Sequence, residues 1–422
     1  MRVLLLNTSE RTGGAAIAAN RLMDALLGED IRARMLVRDK TTNDRKVVAL
    51  EPSWRLKWNF VWERACIWWA NRLHKHRLFE VDICNTGTDI TMLPEFRQAD
   101  IIHIHWINQG FLSLKNIQSI LQSGKPIVWT MHDMWPFTGI CHYTQGCENY
   151  LTECHNCPIL WKGSKNDLSR HIFQKKMSLL SHANIQFVGC SDWLSDMARS
   201  SRMLGNRNIW SIPNAINTKL YHPISKHEAR VHNSLPEDRH LLLFAAFKIT
   251  NKIKGIDYLC KAIELLVEAH PDMKDKLGIV AVGQEAEALQ ERIPIPVYPM
   301  GYITDEHRMV ELYNAVDLFL IPTLQDNLPN TIVEAMACAV PCIGFNVGGL
   351  PQMIDHLHNG YIARYKDASD FANGIYWALT DGNYAELSEM ALRKAVESYS
   401  EHSIARQYIE VYNLALSQSA NQ

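Results

Sequence analysis

Short, continuous apolar segments alternate along the chain with longer segments that have helical periodicity. A continuous apolar run of about four to eight residues is typical of a parallel strand that is covered on both faces. Helical periodicity lies between these runs, for example over residues 15–27, 258–269 and 331–339. The pattern predicts doubly wound α/β sheets. The segments predicted as strands are residues 3–7, 101–105, 127–130, 186–190, 241–245, 278–282, 318–321 and 342–345.

The alternation occurs twice, and a polar stretch separates the two halves. Between residues 212 and 240, Pro213, Asn214, Asn217 and Pro223 indicate a linker. We therefore expect two Rossmann-like domains that face a cleft, over residues 1–215 and 216–400. A C-terminal helix at about 400–422 is expected to pack back on the first domain. Ligands of open α/β sheets bind beyond the carboxyl ends of the strands, so candidate residues are sought there.

Net charge, the length of the apolar segments and the number of cysteines indicate which partners and which cell compartment to expect. A net charge of −2 over 422 residues gives no reason to expect a nucleic-acid partner. No segment approaches the ~20 apolar residues of a membrane-spanning helix. The apolar start is too short for a signal peptide and lacks a small-residue cleavage site, so we expect a buried first strand and a cytoplasmic protein. Ten cysteines then favour free thiols or a metal site over a disulfide scaffold.

Two sets of polar residues follow predicted strands of the first half. Gly13 and Gly14 come between the first strand and a helix, where backbone N–H groups can approach a phosphate. The alternative is a tight βα turn, and the absence of G-x-G-x-x-G disfavours a dinucleotide oxidoreductase. His103, His105 and His132 lie at strand ends. Core packing is the preferred interpretation of His103 and function that of His132, while a metal-hydrolase site lacks further acidic ligands.

The second half carries a lysine cluster and two separated carboxylates. Lys248 and Lys254 follow its first strand, and a diphosphate would suit several ammonium groups there, although a solvated loop is the alternative. Asp326 and Glu334 flank a loop and a helix start, which can bind phosphate or hydroxyl oxygens. Thr331-x-x-Glu334 is also a capping-box pattern, so Glu334 could serve the helix end. Residues of the same region expected at this ligand site are Asn327, Leu328, Gly348 and Gly349.

Four cysteines lie within seventeen residues, with the spacing C-x5-C-x6-C-x2-C. Cys141, Cys147, Cys154 and Cys157 could bind one structural Zn²⁺ and order a loop that has little core of its own. His142 or His155 could replace one thiolate. Free thiols and disulfides are the alternatives, the latter disfavoured by compartment. A metal here would shape the acceptor side of the site and would not perform the chemistry.

Five of the twelve tryptophans lie in residues 54–69, among basic residues. Aromatic side chains interleaved with cations are typical of a membrane interface, so we expect peripheral contact with the inner membrane through residues 54–77. The alternative is an aromatic helix packed on the first domain. The basic residues are Arg55, Lys57, Arg64, Arg72, Lys75 and Arg77.

These motifs together resemble the family 4 glycosyltransferases of the GT-B fold. The resemblance covers nearly the whole chain, and its most specific parts are Lys254-Gly255, the segment from Asp326 to Ala337, and residues 348–351. Residues 128–136 with the four cysteines after them are similar to colanic-acid-type polysaccharide glycosyltransferases. The resemblance implies retaining transfer from a UDP- or GDP-sugar to a polysaccharide repeat unit or lipid-linked oligosaccharide, without a catalytic metal.

The resemblance also assigns roles to single residues. Glu334 would bind ribose hydroxyls, Asp326 the donor sugar and Lys254 the diphosphate. His132 would face the reacting sugar, and the Gly13–Gly14 pair would approach the phosphate. Asp326 stands where the family has Glu, and the nearest candidate for a family Arg is Lys248, which cannot bind a phosphate in the bidentate way of Arg.

Three other functions remain open from the sequence. A sugar-nucleotide epimerase or a phosphorylase could share the double-Rossmann shape, although no pyridoxal lysine segment is evident. A membrane-surface scaffold of a polysaccharide assembly complex, with a retired donor site, is the non-enzymatic alternative. A measurement of nucleotide binding distinguishes an active transferase, which binds the nucleotide, from the scaffold, which does not.

Overall fold

The computed structural model describes residues 1–181 and 183–420 and separates the chain into two compact domains. The first contains residues 1–215 together with the chain from residue 404 onward, and the second contains residues 216–403. Both are α/β domains built on a parallel sheet, as the alternation of apolar segments predicts.

The first domain holds a sheet of seven parallel strands within the described residues, in the order β3-β2-β1-β4-β5-β6-β7. β1 lies inside the sheet, paired with β2 and β4, which is why the chain starts with an unbroken apolar run. The strands are β1 (Arg2–Ser9), β2 (Arg32–Asp39), β3 (Val47–Ala49), β4 (Ile101–Ile104), β5 (Ile127–Met131), β6 (Ile185–Gly189) and β7 (Ile209–Ser211).

Helices cover this sheet, and the last helix of the chain is one of them. Its residues Ile404, Tyr408, Val411 and Tyr412 are buried in one core with the first helix and strands β1 and β2. The helices are α1 (Gly14–Gly28), α2 (Trp54–Ala70), α3 (Pro94–Gln98), α4 (Leu114–Gln122), α5 (Leu168–Leu180), α6 (Asp192–Ser200) and, at the end of the chain, α15 (Glu401–Ala420).

The second domain holds a sheet of six parallel strands within the described residues, in the order β10-β9-β8-β11-β12-β13. The strands are β8 (His240–Lys248), β9 (Leu277–Gln284), β10 (Val297–Gly301), β11 (Leu318–Ile321), β12 (Cys342–Phe345) and β13 (Gly360–Ala363). The helices are α7 (Lys226–His232), α8 (Ile256–Ala269), α9 (Met273–Lys276), α10 (Glu306–Ala315), α11 (Asn330–Ala337), α12 (Leu350–Met353), α13 (Ala368–Thr380) and α14 (Tyr384–Tyr399).

The polar stretch predicted as a linker contains a helix that is bound to the second domain. This helix is α7, whose Arg230 donates to Asp317 (Nη2–Oδ2, 2.9 Å) and to the carbonyl of Ala315 (2.8 Å). Asp317 also accepts from Lys226 (Nζ–Oδ1, 2.9 Å). These ion pairs anchor α7 to the second domain, and no local sequence pattern reveals them.

All eight predicted strands are present, and the prediction missed five others. β2 alternates exposed and buried residues at its start, and β3, β7 and β13 are short. β10 has only half-buried residues, so it lacks a continuous apolar run. Among the described helices, none is long and apolar enough to cross a membrane.

Candidate active site

Three adjacent strands of the second domain bring the predicted donor-site residues to one edge of the sheet. β8, β11 and β12 are neighbours, and their carboxyl ends lead to Lys254, Asp326 and the Gly348–Gly349 pair. Because parallel strands end at the same edge, residues far apart in sequence meet there. The sheet order therefore explains how this candidate site forms.

Lys254 and Asp326 form the ion pair at this edge, with Nζ 2.6 Å from Oδ2. Lys254 ends a short 3-10 turn over Lys252–Lys254, and Gly255 follows with a left-handed φ of 80°. A Cβ on Gly255 would lie 1.7 Å from the carbonyl oxygen of Pro322, just after β11. Glycine at 255 thus lets the lysine turn approach the strand end that carries Asp326.

The loop of Asp326 packs against the glycine turn after β12. The N–H of Asn327 donates to Oδ1 of Asp326 (3.1 Å), and the N–H of Gly349 donates to the carbonyl of Asn327 (2.9 Å). Gly348 has a φ of 57°, and a Cβ there would lie 1.8 Å from the carbonyl oxygen of Asp326. The two glycines therefore fix the loop whose carboxylate faces Lys254. Leu328, next along the loop, is buried.

The capping interpretation of Glu334 is wrong. Helix α11 begins at Asn330 with Pro329 at its N-cap position, so Thr331 is inside the helix and cannot cap it. Glu334 is buried, and its Oε2 accepts the hydroxyl hydrogen of Tyr313 (2.8 Å). The Tyr313 hydroxyl thus holds this carboxylate, and no local sequence pattern pointed to Tyr313 as its partner.

Lys248 has an acidic partner other than Asp326. Its Nζ lies 2.8 Å from Oε1 of Glu285, which follows β9, and both side chains are about half exposed. The hydrogen bonds from Lys248 and Thr250 hold the pKa of Glu285 below its usual value. Lys248, at the end of β8, is thus paired with the acidic residue that follows β9 and not with Asp326.

In the first domain, Gly13 and Gly14 stand at the start of α1, immediately beyond β1. Gly13 has a φ of 92°, occupies the N-cap position without a side-chain cap, and has open space where a Cβ would stand. Both glycines are exposed. Backbone N–H groups at such a helix start can receive an anion.

The histidines at the ends of adjacent strands β4 and β5 form a chain in which His103 and His105 are buried and His132 is partly exposed. His103 is fully buried, with Nδ1 2.8 Å from the hydroxyl of Tyr412 and Nε2 2.8 Å from Oγ1 of Thr130. This agrees with the core interpretation of His103. His105 lies just beyond the end of β4, and its Nδ1 is 3.0 Å from Nε2 of His132. His132 is thus oriented by a side chain that the core holds.

Burial keeps these histidines neutral. It lowers the pKa of His103 to about 3 and that of His132 to about 4, although Asp133 acts in the opposite direction on His132. It lowers the pKa of His105 well below its ordinary value. Nε2 of His105 is also buried with no hydrogen-bond partner in the described part of the chain, so a second ring proton would have no acceptor. At neutral pH His132 is an uncharged imidazole.

Asp133 opens a second polar chain that the sequence did not reveal. Its Oδ2 lies 2.7 Å from Nδ1 of His142 and accepts from Nε1 of Trp106 (2.9 Å). Nε2 of His142 lies 2.6 Å from Oδ2 of Asp82. Burial by itself lowers the pKa of His142, but the two carboxylates outweigh it and raise that pKa to about 10. His142 is therefore a buried cation between two aspartates.

Comparison with known proteins agrees with this architecture. Residues 239–381 match the sequence family described as glycosyl transferases group 1. A glycosyltransferase of Methanocaldococcus jannaschii, itself uncharacterized, is 25% identical over 365 residues, covering 80% of this chain and 90% of that protein. WcaC of Escherichia coli K12, whose name assigns it as a putative glycosyl transferase to colanic acid biosynthesis, is 26% identical over 58% of this chain and 59% of its own length.

Solved structures share the fold over the full length. Sucrose-phosphate synthase of Thermosynechococcus elongatus superposes with a TM-score of 0.67 at 19% identity, over 99% of this chain and 100% of that one. HepE of Anabaena, in complex with UDP-glucose, gives a TM-score of 0.64 at 16% identity, over 98% and 100% of the two chains. The protein is a glycosyltransferase with the GT-B fold.

The four cysteines of the glycosyltransferase line one small cavity of the first domain, and all four are free thiols. The N–H of Gly139 donates to Sγ of Cys154 (3.3 Å). Burial raises the pKa of Cys141 and of Cys154 to about 12 each. Within residues 1–181 and 183–420, no three His, Cys, Asp or Glu side chains are arranged so that they could hold a metal ion. The zinc hypothesis stays a prediction.

The tryptophan-rich segment of the glycosyltransferase forms helix α2, whose aromatic side chains face outward. Trp54 is 71% exposed, Trp58 52%, Trp62 45% and Trp69 77%. The rings of Trp58 and Trp62 stack with centroids 5.9 Å apart. The alternative of an aromatic helix packed on the first domain is wrong for these four side chains.

Proposed function

We propose that this glycosyltransferase moves a sugar from a nucleoside diphosphate donor, with retention of configuration, to a polysaccharide repeat unit or a lipid-linked oligosaccharide. The observation that carries the proposal is the Lys254–Asp326 pair between two glycine turns, at the carboxyl ends of adjacent strands. The UDP-glucose complex of HepE and the name of WcaC support the choice of donor class and of pathway type.

Leaving-group stabilisation is the chemistry proposed for the second domain. A departing nucleoside diphosphate develops negative charge, and preorganised cations and N–H groups lower the barrier by receiving it. Lys254 would supply the cation, and the N–H groups near Gly348 and Gly349 would supply neutral donors. Glu334 would bind the ribose hydroxyls, held in place by Tyr313. Asp326, already fixed by the N–H of Asn327, would accept hydroxyls of the donor sugar.

The first domain would supply the groups that face the reacting sugar. An uncharged His132 can accept or donate a hydrogen bond to a sugar hydroxyl. Gly13 and Gly14 would offer N–H groups to a phosphate. No step in this scheme requires a metal ion.

A thermal-shift series with UDP and GDP tests the proposal, followed by a donor screen with membrane extract as the acceptor source. We expect one of the two nucleotides to raise the melting temperature, and radiolabel from the matching sugar nucleotide to enter extractable lipid or polymer. Silence with every nucleotide would favour the retired scaffold. Conversion of the donor without an acceptor would favour an epimerase.

We propose as well that helix α2 and the residues after it, up to 77, rest on the cytoplasmic face of the inner membrane. The exposed tryptophans would enter the headgroup region, and Arg55, Lys57 and Lys75 are exposed beside them. Anionic lipid would add about 1 kcal/mol per basic residue near the surface.

Vesicle co-sedimentation tests this contact. A Trp58/Trp62/Trp68 triple alanine variant should sediment less with anionic vesicles than the wild type, since the exposed rings supply the apolar contact. Met92→Ala is the matched control, because Met92 is an exposed apolar side chain of the same domain outside this segment. Equal sedimentation of all three proteins would contradict the membrane role.

A further inference from the structure

Helix α2 buries two charged residues while its tryptophans face outward, an unusual arrangement for a surface helix. Glu63 is fully buried and Arg64 is 6% exposed, whereas Trp58 on the opposite face is 52% exposed. Buried charges are costly unless they are paired and hydrogen-bonded. The partners of Glu63 and Arg64 therefore indicate what this helix is built against.

Those partners lie in the segment that follows α2. Oε1 of Glu63 accepts from the N–H groups of Ile83 (2.8 Å) and Cys84 (2.7 Å). Arg64 donates through Nη2 to Oδ1 of Asp82, and through Nη1 to the carbonyl of Val81 (3.0 Å). The inner face of α2 thus holds Asp82 in place by charge.

From Asp82 the polar chain continues to the candidate active site. Asp82 contacts His142 (2.6 Å) and His142 contacts Asp133 (2.7 Å), which directly follows His132. Asp133 also accepts from the N–H of Trp135 (2.8 Å), which fixes the turn after β5. Three consecutive polar contacts therefore join Arg64 of α2, through Asp82 and His142, to Asp133, the residue next to His132.

A second contact joins α2 to the loop after β4, the strand that carries His103. A Cβ on Gly110 would lie 2.7 Å from the backbone nitrogen of Phe60, so that loop is in close backbone contact with the helix. The hydroxyl of Thr86 donates to the carbonyl of Asn59 (2.8 Å). The helix therefore contacts the loop after β4 directly and reaches the end of β5 only through Asp82 and His142.

We propose that α2 transmits lipid binding to the active site: contact of its tryptophans with an anionic bilayer stabilises the helix and its Arg64–Asp82 pair, and the Asp82–His142–Asp133 chain then stabilises the turn that carries His132. His142 is a positioning residue in this scheme. The inference rests on the proposed function for the role of His132 and on the proposed membrane contact for the trigger. Hydrogen-bonded networks that connect two regions of a protein carry coupling of this kind.

Hydrogen exchange followed by mass spectrometry tests the coupling without any sugar transfer. The wild-type protein would be measured with vesicles of phosphatidylethanolamine and phosphatidylglycerol, and with phosphatidylcholine vesicles as the uncharged control. We expect the anionic vesicles to slow exchange of the backbone amides in residues 132–142. His142→Gln should sediment with the same vesicles as the wild type does, yet lose this protection.

Three further measurements keep the test decisive. His171→Gln, an exposed histidine of α5 in the same domain, should keep the wild-type protection. Asp82→Asn replaces His142→Gln if that variant does not fold, and it should lose the protection too. In turnover assays with vesicles, His142→Gln should lower kcat and leave the donor KM unchanged, as a positioning role requires.

The outcomes separate this inference from the proposed function. Wild-type protein that sediments with the vesicles but shows no protection, or a His142→Gln variant that shows full protection, would overturn the coupling. Sugar transfer by wild-type protein in the same preparation would leave the proposed function standing. If the anionic vesicles protect the backbone amides of residues 132–142 but the protein neither binds nucleotides nor transfers sugar, the coupling stands and the transferase proposal fails.

Discussion

At the scale of single residues, Lys254 is the more exposed partner of its ion pair with Asp326. Its ammonium group is therefore well placed to bind a diphosphate. Lys254→Ala should weaken nucleoside diphosphate binding by about 1.5–3 kcal/mol, the range for hydrogen bonds to charged groups. Isothermal calorimetry measures this. Lys252→Ala, in the same turn, is the matched control and should bind as the wild type does. Unchanged affinity for Lys254→Ala would remove this residue from the site.

Glu334 separates a binding role from a structural one. Glu334→Gln keeps an acceptor for the Tyr313 hydroxyl, so it should retain stability while activity falls strongly if the carboxylate binds ribose. Glu334→Ala leaves a buried hydroxyl unpaired and should cost about 1–3 kcal/mol of unfolding free energy as well. Tyr313→Phe is the control that removes the bond but keeps the carboxylate. Full turnover by Glu334→Gln would refute the ribose assignment.

The buried histidines make an acid-sensitive domain. Their folded pKa values lie below the unfolded value of about 6.5, so the unfolded state binds more protons as the pH falls. Their contribution to the free energy of unfolding is fully present above about pH 6.5, the unfolded pKa. It is lost as the pH falls toward about 4, the pKa of His132 in the folded protein. The free energy of unfolding, measured by urea denaturation at a series of pH values, should therefore decrease as the pH is lowered through this range. His103→Gln should show a shallower fall, and an equal slope would contradict the assignment.

At the scale of elements, the cysteine loop shares a hydrophobic core with helices α2 and α5: Cys141, Cys157 and Ile159 are buried in one cluster with Ile67 and Ile172. Four thiols share one cavity, and the buried ammonium of Lys176 binds the carbonyls of Trp135 (2.5 Å) and Thr138 (3.0 Å) beside it. Burial lowers the pKa of Lys176 to about 7. A tetrathiolate zinc site, formed once the metal had displaced the thiol protons, would favour the charged form of this lysine, which would offset part of the site's negative charge.

We expect protein purified without a His-tag to contain about one zinc per chain, and Cys154→Ser to lose it, by elemental analysis. Cys260→Ser, a cysteine of the second domain, is the control and should keep the metal. Metal-free protein with full activity would show that the four cysteines are packing residues.

At the scale of the whole molecule, the end of the chain completes the first domain. Tyr408 and Tyr412 of α15 are buried, and their hydroxyls bond Thr130 (2.9 Å) and His103 (2.8 Å). Deletion of residues 404–422 should expose this core and unfold the first domain at a lower temperature, as circular dichroism would record. Tyr412→Phe removes one hydroxyl and should have a much smaller effect. An unchanged melting curve for the truncated chain would contradict this assignment.

The sequence determined the secondary structure of the central strands and the chemical type of the donor site. A strand buried on both faces must be continuously apolar, so β1, β4, β5, β8 and β11 are visible in the sequence. Glycines with positive φ, such as Gly255 and Gly348, are also visible, because only glycine accepts such conformations without cost. Edge strands and α7 were missed because their residues are stabilised by contacts distant in sequence.

Tertiary structure alone decided which polar residues act together. The sequence could suggest a cap for Glu334, but only packing shows Tyr313 as its partner, 21 positions away. It showed tryptophans and cations in one segment, but not that Glu63 and Arg64 face inward toward Asp82 and the site. Hydrophobic periodicity is local and can be read along the chain, whereas the pairing of buried charges depends on the sheet order that brings distant segments together.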